Sequence, residues 1–154
     1  MSSDLWSFSL STYARPGVED ACLALQAAGA NVCLLLCACW LGERGVACNP
    51  QRLQQLLLLA EPWDSQVVQP LRQLRLQWKA AAAADAPLGI LRAQVKALEL
   101  EAERQLLLRL EQSAREWPTG QANDLAAWQE GLAASAANLS RDALHQLRVA
   151  MTDA

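Results

Sequence analysis

Ten consecutive apolar residues, Val32 to Leu41 (VCLLLCACWL), constrain the folding of this 154-residue chain more than any other stretch. A membrane span needs on the order of 18 to 20 apolar residues, and this run meets Asn31 and Gly29 upstream and Gly42 and Glu43 downstream. It is too short to cross a bilayer and apolar on every side, which predicts a core helix enclosed by other helices. Asn31 is placed to cap its start, Gly42 or Gly45 to close its end, and Arg44 to complement the helix dipole. With 53% hydrophobic and 19% charged residues, the chain has material for one such core, hence a single domain over residues 1–154.

Caps and prolines divide the remainder into helices. Ser2 or Ser3 can cap a first helix through Leu5, Trp6, Phe8, Leu10 and Tyr13, stopping before Pro16. A second is expected from Pro16 to Gly29, with Val18, Ala21, Cys22 and Leu25 on one stripe and Glu19 and Asp20 in its first turn. Asn49-Pro50 opens a Leu-rich helix that should end near Ala60, before Pro62. Asp64 or Ser65 begins the next, to about Ala84, with Pro70 either kinking it or marking its true start. The alanine run from Ala80 to Ala86, broken at Asp85, favours helix, and Pro87 makes it a corner between two antiparallel helices. The longest periodic segment follows, with Leu88, Leu91, Val95, Leu98, Ala102, Leu106 and Leu110 on one stripe and Lys96, Glu99 and Glu103 elsewhere around the helix. It should end before Pro118. Asn123 or Asp124 then caps a helix bearing Leu125, Trp128 and Leu132, and Ser140 caps a last one bearing Leu144 and Leu147. No stretch alternates as a strand would. The expectation is an all-α single compact domain of about seven or eight helices around the buried apolar helix.

Three segments, LWSFSLSTYARPGVEDACLALQAAGANVCLLLCACWLG, VVQPLRQLR and VKALELEAER, come in that order over most of the chain. In them the sequence resembles an uncharacterised family of small all-helical bacterial proteins, a domain of unknown function. The resemblance implies a helical cytoplasmic protein and supplies no catalytic or binding residues. The family pattern is expected to be poorer in cysteine over Val32 to Leu41, which argues against these thiols being ligands the family depends on.

The net charge of −3 arises from interspersed signs, so nothing drives the chain generally toward nucleic acid or anionic lipid. The N-terminal stretch carries Asp4 and no basic region before a long apolar core, unlike a secretory signal, and the expected compartment is the cytoplasm. Cys33 and Cys37 share a helix face, Cys39 points elsewhere, and Cys22 and Cys48 lie on neighbouring segments. Zinc sites pair ligands on turns, so these thiols read as small buried hydrophobes in a reducing compartment, with no metal and no cofactor expected. The one histidine, His145, reads as a surface residue of the last helix, which leaves cysteine catalysis without a base and excludes a Glu-x-x-His di-iron scheme. Phosphate-binding loops, dinucleotide fingerprints and nucleophile elbows are missing, and no catalytic residue is assigned. Asn138-Leu-Ser matches a glycosylation acceptor without meaning in the cytosol.

Two constellations remain. Arg72, Arg75 and Lys79 form a basic stripe beside Trp78, suited to a phosphate, an acidic partner or a stacked base, or else to pairing with the acids of the next helix. Glu99 and Glu103 lie one turn apart. Arg75 is 12 residues before Pro87 and Glu99 is 12 after it, so the corner brings them to equal axial heights, with Arg72 and Glu103 matching within about one turn. Of the six tryptophans, Trp6, Trp40, Trp63 and Trp128 are placed chiefly to build core. The reading favoured is a non-enzymatic interaction or regulatory protein whose partner is another protein, through Arg72, Arg75, Trp78, Lys79, Glu99 and Glu103. Its alternative is a helical ligand-binding or enzymatic domain with a Trp-lined cavity and Arg/Glu polar groups. The oligomeric state is open.

Overall fold

A computed structural model describes residues 4–152 of the chain. Helices α1 (Leu5–Tyr13), α2 (Val18–Ala27) and α3 (Val32–Glu43) lead into α4 (Pro50–Trp63). A π-helical turn, Asp64–Val68, joins α4 to α5 (Gln69–Gln77), which α6 (Lys79–Ala83) and α7 (Ala86–Ala114) follow. The chain closes with α8 (Leu125–Ala133), α9 (Ala136–Leu139) and α10 (Arg141–Thr152), and the described residues include no strand. The fold is all-α as expected, though more finely segmented.

Helix α3 is the axis of the core. Every residue from Cys33 to Leu41 is buried, and α1, α2, α4, α7 and α8 pack around it. The Asn31 side chain accepts from the Cys33 and Leu34 N–H groups, satisfying two donors that the helix start would otherwise leave open. Gly45, at φ 72°, lets the Val46 N–H turn back onto the Leu41 carbonyl, a left-handed closure that a side chain would resist. Gly42, by contrast, terminates nothing. It lies inside α3 where α8 crosses, and a Cβ there would come within 2.6–2.9 Å of Leu125 atoms. The stripe expected on α2, Val18, Ala21, Cys22 and Leu25, is fully buried. So are Trp128, Leu132, Leu144 and Leu147 from the C-terminal helices.

Other boundaries move for local reasons. Ser2 and Ser3 lie outside the described residues, and Asp4 caps α1 by accepting from the Ser7 N–H at 2.7 Å. Helix α2 starts at Val18, not Pro16, because Gly17 holds a left-handed φ of 85° ahead of it. Helix α4 does not stop before Pro62 but runs through it, and the π turn that follows takes up the misfit of a proline that cannot donate to the preceding turn. The expected Asp64–Ala84 helix is interrupted at Trp78 between α5 and α6. Asp124 precedes α8 without capping it by its side chain, which instead accepts from the Cys48 N–H at 2.8 Å and ties the two loops together.

The stripe on α7 is corrected more substantively. Val95, Ala102, Leu106 and Leu110 are buried, but Leu91 and Leu98 are about half exposed, and Glu99 takes the inward position at 5% exposure. The reason is tertiary: α7 packs along α5 and α6, which contribute no buried residue of their own. The first half of α7 therefore forms a two-layer arm with α5 and α6, not a core helix, and its inner face sets the Glu99 carboxylate beside Val95.

Candidate functional site

The arm is pinned by the residues the sequence singled out. Asp85 caps α7 by accepting from the Leu88 N–H, so Pro87 falls in the first turn and α7 returns antiparallel along α5. Arg72 Nε donates to Glu99 Oε2 at 3.0 Å, Arg75 Nε donates to Glu99 Oε1, and Arg75 Nη2 donates to Oε2 at 3.2 Å. Both oxygens of one carboxylate are thus engaged by two guanidinium groups. Glu103, one turn on, lies 3.7 Å from Arg72 Nη2. Burial by itself raises the Glu99 carboxyl, but the hydrogen bonds from Arg75 and Arg72 outweigh it and hold the group below its usual range. Glu103 goes the other way, raised by burial and by the neighbouring Glu99 carboxylate against only partial relief from Arg72.

Two members of the expected set stand apart. Lys79 is exposed at the start of α6 and makes no ion pair among the described residues, since it lies too near the corner to reach either carboxylate. Trp78 is half-buried at the α5–α6 break. One member was missed: Arg92 Nε donates to the Arg75 carbonyl at 2.9 Å, binding α7 to the backbone of α5. Arg72 and Arg75 of the basic stripe are thus engaged by Glu99 within the arm, and Lys79 of the same stripe stays exposed.

Glu103 also faces a second feature. A cleft of about 460 Å³ opens between α1, α2, α3 and α7, lined by Trp6, Ser9, Tyr13, Glu19, Cys33 and Glu103 among others. Trp6, Ser9 and Tyr13 recur at helical spacing on α1, so the stripe visible in the sequence carries polar groups as well as apolar ones. Ser9 is 4% exposed and its hydroxyl has no partner, as is also true of Thr12 one turn further along. Burial, followed by the nearby Cys22, Glu19 and Glu103, pushes the Tyr13 phenol up to about 12, so it stays a proton donor. The Cys33 thiol donates to the Glu103 carbonyl at 3.6 Å. A smaller hollow of about 310 Å³, lined by Gln26, Gln69 and Arg72, lies on the other side of Gln26. The Arg72–Glu103 pair therefore joins the arm to the cleft.

The cysteines do not add a reactive centre. Cys22, Cys33, Cys37 and Cys39 are buried, and burial pushes the Cys22 and Cys39 thiols up to about 12 and 11, so they remain protonated and unreactive. Among the described residues no group of three or more His, Cys, Asp or Glu side chains converges on a metal position, and no helix is long and apolar enough to cross a membrane. Trp40 and Trp128 are buried as expected, while Trp6 and Trp63 are only half-buried; Trp63 donates to the Ala102 carbonyl at 2.8 Å. His145 is exposed on α10.

No curated protein and no solved structure matches this chain. A family match covers residues 4–110, which takes in the apolar helix, the arm and every lining residue of the cleft, and the chain belongs to that family, described as "Protein of unknown function (DUF2390)".

Proposed function

We propose that this chain is a non-enzymatic regulatory protein of the bacterial cytoplasm whose primary binding element is the cleft between α1, α2, α3 and α7. The observation that carries this reading is the cleft's composition: a largely apolar wall that includes Trp6, with Ser9, Tyr13, Glu19 and Glu103 among the residues lining about 460 Å³, a size and make-up typical of small-molecule sites. The Arg72–Arg75 stripe supports partner binding less well, since Glu99 already occupies it. The unpaired, protonated thiols of the core suit a reducing compartment, which supports the cytoplasmic assignment.

Protein partnership enters through the arm. Leu76, Ile90, Leu91 and Leu98 are 50–64% exposed on its outside, more apolar surface than a two-helix arm would keep without use. A ligand that draws Glu103 away from Arg72 changes how the arm is held, and so links cleft and arm.

Native mass spectrometry of the protein purified from its own cells tests the reading. The expected result is a retained small molecule, lost in Leu10→Trp, which fills the cleft from an exposed wall position. Protein that carries no cell-derived small molecule, and whose melting is unmoved by a metabolite extract, would sink it.

A further inference from the structure

Resting on the cleft as the binding element, we infer that its ligand is an organic cation: an ammonium head on an apolar, aromatic-sized body. Among the residues lining the cleft, Glu19 and Glu103 are acidic and none is basic. Arg72 reaches Glu103 from outside at 3.7 Å, and the Arg104 guanidinium lies over the Trp6 ring at 5.4 Å, also from outside the wall. A cation is thus already held by one surface of this indole, and Trp6 is also a lining residue of the cleft. Trp6 and Tyr13, two turns apart on α1, offer two aromatic groups to a cation entering between α1 and α7.

The second observation is independent of the charges. Ser9, on the same wall, is 4% exposed with a hydroxyl that no protein group satisfies. A buried unpaired hydroxyl costs free energy, and Ser9, whose oxygen is closed off from solvent, gains a partner when its side chain turns toward the cleft as the ligand enters. Glu103 has a related deficit. Its carboxylate lies in a half-buried position with only one distant guanidinium beside it, so a second positive charge on the cleft side completes its pairing. An anionic ligand meets two carboxylates and no counter-charge. Apolar wall residues such as Leu36, Leu100 and Leu107 accept the body of the molecule.

Three matched probes decide it by NMR titration of the full chain: 4-phenylbutylamine, 4-phenyl-1-butanol and 4-phenylbutyrate share one body and differ only in the head. The amine is expected to bind at least tenfold tighter than the alcohol, with the carboxylate weakest. Glu19→Gln, at an exposed position, and Glu103→Gln should each cut the preference for the amine over the alcohol severalfold, the amine losing far more affinity than the alcohol. Leu10→Trp should weaken all three. Equal affinity for amine and alcohol, or a tighter carboxylate, would overturn the cationic class while leaving the cleft as a ligand site. If none of the three binds the wild-type chain, the cationic class and the assignment of the cleft fall together.

Discussion

Glu99 and Glu103 are the same residue type one turn apart on one helix, yet they titrate in opposite directions. Glu99 receives three hydrogen bonds from two arginines, whereas Glu103 has one guanidinium at 3.7 Å. The Glu99 carboxyl is lowered on folding, so its stabilisation is fully present above the unfolded value and is lost as pH falls through the lower, folded value. The Glu103 carboxyl is raised, so its contribution is present below the unfolded value and is lost as pH rises through the folded one. Glu99→Gln should therefore melt well below wild type at pH 7, by on the order of 2 kcal/mol for a broken sheltered pair, with the gap closing in acid. Glu103→Gln should melt no lower than wild type at pH 7. Thermal melts from pH 3 to pH 7 separate the two, and parallel curves for both variants would show that their surroundings do not differ as described. Arg75→Glu should destabilise by placing two acids together, and Glu99→Arg should partly rescue it; a double-mutant cycle without such rescue would mean the pair does not orient the arm. The pairing itself was legible from residue counting about Pro87. The burial of Glu99 in place of Leu98 was not, because periodicity reports which residues share a face and not what that face meets.

Among the elements, α3 shows how much a short segment can specify. Its length, its cap and its apolar faces were all readable, since each depends on chemistry within a few residues. Asn31→Ala should lower stability by about 1 kcal/mol, because two N–H groups at the helix start lose their acceptor. Gly42→Ala should cost more, about 1–3 kcal/mol, because the added methyl meets the Leu125 backbone and side chain at under 3 Å and one helix must shift. Chemical denaturation of the two variants ranks them, and a neutral Gly42→Ala would contradict the close crossing of α3 and α8. The Pro62 segment illustrates the reverse situation. A proline preceded by good helix formers reads as a stop, but α4 is held on both sides of it by packing against α7 and the π turn, and that packing outweighs the lost hydrogen bond.

For the molecule as a whole, the family match ends at Leu110 while the core does not. Trp128, Leu132, Leu144 and Leu147 are at most 1% exposed and close one side of the core around α3. Burial of four such side chains contributes roughly 6–12 kcal/mol, as large as the net stability of an ordinary domain. A fragment ending at Arg115 should accordingly lose its cooperative thermal transition by circular dichroism and expose apolar surface to a hydrophobic dye. A fragment that melts cooperatively would show that the matched region folds on its own and that α8 to α10 are an accessory.

The sequence by itself determined that the chain is helical, that Val32 to Leu41 is its centre and that arginines before Pro87 meet glutamates after it. These follow from propensity, capping and axial rise, which act over short separations or through a single corner. Only the tertiary structure decided that the arm's inner face carries the Glu99 carboxylate, that Pro62 is carried within a helix, and that Trp6, Ser9 and Tyr13 on α1 enclose a cleft with Glu103 some ninety residues later. A cleft is the space left between helices whose packing angles and offsets depend on every side chain at their contacts, and no local pattern encodes where close packing stops.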